Sequence, residues 1–191
     1  MPGLTFDHAI SKATVMPPSA KLLAALMAMS LLAWGIVAWV HVVPWLDTHS
    51  RREGLLVAVT PHLFRHVGAM AVFPGVGQTP PAWSVPLAWG DGITALLAAL
   101  SMIALYKSWR HATLVVWAFN LFGLMNLLHN GYNAVVLQIA PQLGVVGYVV
   151  AFGVPGMFVA HLLVFRILLK PDAERPRQLT RAHGAVVEGA G

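Results

Sequence analysis

The chain has 191 residues, of which 58% are hydrophobic and only 10% charged, with a formal net charge of +5 and a mean hydropathy of +0.71. A soluble domain carries about 25% charged residues, so this chain has too little charge to coat a water-soluble globule. Cysteine is absent, which excludes disulfides, thiolate metal ligands and a thiol nucleophile.

A helix needs about 20 residues to cross about 30 Å of hydrocarbon. Five apolar stretches have that length: 22–45, 54–75, 85–106, 112–136 and 145–169. They predict an all-α, polytopic transmembrane helix bundle of five spans. The first stretch follows a mixed segment and is longer than a signal-peptide core, so it is read as a retained span. Residues 1–170 then form a single transmembrane helical domain with a short N-terminal segment, and 171–191, with charges, Pro and Gly, form a mobile cytoplasmic tail.

Span one carries Trp34 and Trp39 at depth, where packing is expected, and Trp45 near its end. Arg51 and Arg52 follow. Span two contains Thr60-Pro61-His62-Leu63-Phe64-Arg65-His66. A charge at mid-span costs about 2.5–3.5 kcal/mol on insertion scales, so Arg65 must face protein or water and marks a site. His62, Arg65 and His66, three and four apart, share one face of an α-helix. Pro61 removes a backbone donor and frees a carbonyl one turn earlier.

The connection to span three holds no Lys or Arg. Trp83, Trp89, Tyr106, Trp109 and Tyr148 lie near span ends, at the headgroup level that amphipathic rings favour. Asp91 is the only carboxylate within the five stretches and therefore the expected partner of Arg65. Span four bears a polar stripe of Asn126, Asn130 and Asn133, with His129 on its flank. Span five places His161 six residues after Pro155.

Arg51, Arg52, Lys107, Arg110, Lys170, Arg175, Arg177 and Arg181 fall on one side of this arrangement. The positive-inside rule then places the N-terminus outside and the C-terminus in the cytoplasm. Lys12 and Lys21 oppose that orientation. A four-span chain with a re-entrant second segment satisfies them, but it puts Arg51 and Arg52 outside.

Depth counting brings His62, Arg65, His66, Asp91, Asn126, His129 and His161 into one slab, the expected ligand-binding or polar core. Arg65 with His and Asn donors suits binding or transport of a small polar or anionic solute. The alternatives are a b-type haem electron-transfer protein, a membrane-embedded enzyme and a structural or assembly subunit. Haem b needs two imidazoles at one depth, for which His62 with His161 is the first pairing and His66 with His129 the second. A non-haem cation at His62 and His66 would meet repulsion from Arg65. Acid–base chemistry has candidate groups but no serine nucleophile motif, so the reading leans away from an enzyme. No internal repeat suggests a paired-halves transporter.

The bilayer is the partner that composition implies. A homo-oligomer or a membrane-protein partner is compatible with it, whereas nothing supports nucleic acid. At Thr60-Pro-His62-Leu-Phe-Arg65, Gly90-Asp91, Phe119-Asn120-Leu-Phe-Gly123 and His161 to Arg166, the chain resembles a group of uncharacterised small bacterial multi-span membrane proteins. The resemblance implies a bacterial inner membrane and a helix bundle, with no activity attached. Asn126 stands where such relatives are expected to carry an acidic residue.

Overall fold

A computed structural model describes residues 17–170, and the 171–191 tail lies outside the described residues. Five helices long and apolar enough to cross a membrane run through it: α1, Pro18–Thr48; α2, Arg51–Val72; α3, Pro81–Tyr106; α4, Ala112–Val136; and α5, Val146–Leu169. No strand occurs among the described residues. The chain is thus an all-α bundle of five membrane-length helices, and the second segment is one continuous helix of 22 residues.

The bounds of α4 coincide with its apolar run. Elsewhere, terminal chemistry carries helices beyond or short of theirs. α1 starts at Pro18 and α3 at Pro81, since proline at the first helical position costs no hydrogen bond. α2 starts three residues early because Ser50 and Glu53 form a reciprocal capping box, Glu53 Oε2 accepting from the Ser50 amide at 2.9 Å and Ser50 Oγ from the Glu53 amide at 3.3 Å. It ends at Val72, short of the apolar run.

Two helices widen into a π-turn just before an internal proline, Ala38–Val42 ahead of Pro44 and Val149–Gly153 ahead of Pro155. The wider turn accommodates a proline ring and a missing donor. At the second bulge, Trp34 Nε1 donates to the Phe152 carbonyl at 3.1 Å. Gly156 admits the Trp34 ring there, since a Cβ would lie 2.8 Å from it. Trp39, expected to pack, is 73% exposed on the lipid-facing side instead.

α2 changes character at Thr60. Arg51–Val59 is α-helical and Thr60–Val72 is a 3₁₀ helix. Pro61 cannot donate to the turn before it, and the Thr60 hydroxyl bonds the Leu56 carbonyl at 2.8 Å. A 3₁₀ helix turns every three residues, so positions i and i+3 eclipse. The buried face accordingly runs His62, Arg65, half-buried Gly68 and Ala71. This half packs chiefly along α3, which also packs on α4.

The basic ends of the helices meet. Arg51 donates to the Leu168 carbonyl, Arg52 to that of Tyr106, and Asp47 takes Arg166 at 3.3 Å and Lys170 at 3.1 Å. At the opposite end the two turns bond each other, Gln78 N to Gln142 O at 2.8 Å and Val145 N to Val76 O at 3.1 Å. One apolar cluster around Leu55, Val116, Phe119 and Ile167 fills the basic end, and another around Ala71, Trp83, Ile139 and Leu143 fills the opposite end. Large apolar side chains cover the outer faces, as a bilayer requires.

Candidate functional site

Arg65 projects from the 3₁₀ face into the middle of the bundle. Its Nε and Nη2 both donate to Asp91 Oδ1 on α3, at 3.0 and 2.6 Å. Its Nη1 donates to the Gly123 carbonyl on α4 at 3.0 Å and reaches His161 Nε2 on α5 at 3.2 Å. One guanidinium therefore ties four helices together. Breaking such a buried pair from one side costs about 3–5 kcal/mol, because the partner's charge is left behind.

The network continues in two directions. Asn126 Nδ2 donates to Asp91 Oδ1 at 3.1 Å, Asn130 Nδ2 donates to Asn126 Oδ1 at 2.9 Å, and Trp83 Nε1 donates to the Asn130 carbonyl at 3.1 Å. On the other side His161 Nδ1 meets Asn120 Oδ1 at 2.7 Å, while Asn120 Nδ2 donates to the His161 carbonyl at 3.3 Å. Three glycines make the approach possible. A Cβ at Gly68 would collide with Asp91 Oδ2, one at Gly90 with the Asn126 amide, and one at Gly123 would come within 2.7 Å of the His161 ring.

His62 is fully buried between Phe119, at 5.0 Å between ring centroids, and His161, at 4.1 Å. Neither of its ring nitrogens has a hydrogen-bond partner. The two imidazoles expected as haem ligands thus touch each other at a 43° tilt, and Arg65 already occupies His161 Nε2. A porphyrin cannot stand between rings in contact, so this pair does not fit haem.

The ion pair also forms part of the wall of a cavity of about 430 Å³ between α1 and α2–α5. Leu23, Met27, Leu87, Leu127, Val146 and Val150 give it an apolar lining, and Arg65, Asp91 and Asn130 supply polar groups on its wall. It extends to Gln138, Ile139 and Ala140 in the turn opposite the basic end.

Of the seven residues expected in one polar core, the structure brings His62, Arg65, Asp91, Asn126 and His161 together. His66 does not join them. In a 3₁₀ helix a residue four positions on lies about 120° around the axis, and His66 is exposed, its Nδ1 bonding its own turn at Leu63 O, 2.9 Å away. His129 is exposed too and pairs with Asn133 at 2.9 Å on the outer face of α4, so the second haem pairing fails with it. Asn120, Asn130 and Trp83 complete the network. An available signal for Asn120 was its line with Gly123, Asn126 and Asn130 at helical spacing. Trp83, expected at the headgroup level, is 3% exposed.

The fold and this site define a polytopic α-helical membrane protein with a buried, hydrogen-bonded Arg–Asp centre beside an apolar cavity. A family model described as a domain of unknown function (DUF8737) matches residues 22–169, and the chain belongs to that family. No curated protein and no solved structure matches it.

Proposed function

We propose that the protein binds a lipophilic molecule inside the membrane, in the cavity beside Arg65 and Asp91. The observation that carries this reading is the combination of a cavity of about 430 Å³, apolar over most of its lining, with a few convergent polar groups. That is the general form of a small-molecule site. A free anionic solute is a poorer occupant. Asp91 already neutralises Arg65, and four of the five guanidinium N–H groups are engaged within the protein. The Arg65 network itself is the structural clamp that holds the cavity's wall in place.

The resemblance supports a bacterial inner-membrane location, and the basic helix ends support an orientation with that end in the cytoplasm, the N-terminus outside and the cavity open toward the outer leaflet. The single domain of 1–170 with a cytoplasmic tail of 171–191 belongs to the same reading. A photoreactive alkyl diazirine tests the site in reconstituted protein. Adducts are expected on segments 83–91 and 127–135, and Gly131→Phe is expected to remove them. Gly131 lines the cavity and its Cβ would meet nothing within 4 Å, so the ring enters empty space. Uniform labelling of lipid-facing residues, unchanged by Gly131→Phe, would overturn the reading.

A further inference from the structure

We propose that the occupant of the cavity ends in a hydroxyl, as a lipophilic alcohol or phenol does, and that Asp91 Oδ2 accepts the hydrogen bond this hydroxyl donates. This rests on the cavity being a binding site, and it follows from what the polar wall leaves unmade.

Asp91 Oδ1 accepts three hydrogen bonds, from Arg65 Nε, Arg65 Nη2 and Asn126 Nδ2. Oδ2 accepts none among the described residues and lies against Gly68, itself part of the lining. Asn130 is 5% exposed and also lines the cavity. Both its donor contacts run to Asn126, and its Oδ1 is buried without a partner. The fifth guanidinium N–H, on Nη2, is free among the described residues. Asn130 Oδ1 is sealed from the cavity, so the wall offers one unpaired acceptor, Asp91 Oδ2, and one unpaired donor.

That pattern selects by chemistry. A hydrocarbon tail leaves that acceptor unmet. Ester carbonyls and phosphodiesters only accept, and a phosphate or carboxylate would add a second negative charge beside Asp91. An ammonium donates but places a cation beside Arg65 in a low-dielectric setting. A neutral hydroxyl does both jobs, donating to Asp91 Oδ2 while its oxygen takes the free Nη2–H, and the ion pair stays balanced.

The test uses the full chain in phosphatidylcholine nanodiscs, labelled with a long-chain alkanol carrying a diazirine. Unlabelled dodecanol, methyl dodecanoate, dodecylammonium and dodecane compete for segments 83–91 and 127–135. Dodecanol is expected to suppress labelling at roughly tenfold lower concentration than the other three, the ratio that one well-made hydrogen bond supplies. Asp91→Asn, which can put an amide donor where Oδ2 accepts, is expected to narrow that advantage severalfold. If that variant does not fold, the comparison on the natural chain decides. Equal competition by all four compounds overturns the hydroxyl assignment and leaves the cavity as a general lipophile site. Preference for the ammonium or the ester overturns it as well. Failure of every compound to compete overturns the binding site together with the assignment.

Discussion

Arg65 determines which nitrogen of His161 carries the proton, although the two residues stand on different helices. The guanidinium has only donors to offer, so its Nη1, 3.2 Å away, requires a bare Nε2 on His161. The proton then sits on Nδ1 and is donated to Asn120 Oδ1 at 2.7 Å. Asn120 is thereby oriented with Nδ2 toward the His161 carbonyl. The charge placed by the sequence on α2 thus orders side chains on α4 and α5. Nitrogen NMR of selectively labelled protein is expected to show His161 as the neutral Nδ1–H tautomer, and an Nε2–H signal would contradict the network.

The two buried histidines should respond oppositely to loss of their polarity. His161→Leu strands Asn120 Oδ1 and one Arg65 donor, at about 1–3 kcal/mol for an unmet buried group. His62 has no hydrogen-bond partner to lose. His62→Phe, set edge-on to Phe119, should leave the melting temperature unchanged or raised. Thermal melting in detergent separates the two outcomes.

Glycine positions give a second graded test. Gly68→Ala drives a methyl into Asp91 Oδ2, whereas at Gly92 a Cβ would meet nothing within 4 Å. Overpacking at Gly68 should cost about 1–3 kcal/mol. Gly92→Ala should be neutral or stabilising by up to about 1 kcal/mol, since alanine is the better helix former. Equal melting temperatures for the two variants would show that Asp91 does not lie over Gly68.

Removing both charges should hurt less than removing one. Asp91→Ala leaves Arg65 unpaired in the bundle, at about 3–5 kcal/mol. Arg65→Met combined with Asp91→Ala should fall well short of the sum of the single changes, giving a coupling of at least about 1 kcal/mol. Additive losses in a double-mutant cycle would mean that the two side chains do not interact.

Topology is directly measurable because the chain has no cysteine. Single cysteines at Lys107 and Gln78, on opposite ends of α3, should label from opposite sides of a cell membrane with an impermeant maleimide. Lys107→Cys is expected to be protected from outside reagent and Gln78→Cys reactive.

Much of this was legible in the residues. Each span is an apolar run longer than the hydrocarbon requires, so five helices emerge from hydropathy alone. Arg65 and Asp91 could be matched because the apolar stretches contain one carboxylate. Asn126 has a clear role in the structure: its amide donates to Asp91 Oδ1, where an acidic side chain would repel. Positions that depend on helix type were not legible. An α-helical period puts His66 beside His62, and only the change to three residues per turn after Thr60-Pro61 rotates it outward and brings Gly68 onto the site. His129 failed for a related reason, since a stripe's flank can face lipid as easily as protein. The cavity was hidden altogether, because it arises from how α1 leans on α5 at Trp34 and Phe152 and not from any motif.

The central claim is that the space beside Arg65 and Asp91 holds a lipophilic ligand, and native mass spectrometry of protein extracted in mild detergent tests it most directly. The natural chain is expected to carry a discrete bound lipophile that dissociates on activation, and Gly131→Phe, melting normally, is expected to have lost it. A natural chain that flies free of any bound lipophile, or a Gly131→Phe chain that retains the same one, would contradict the account.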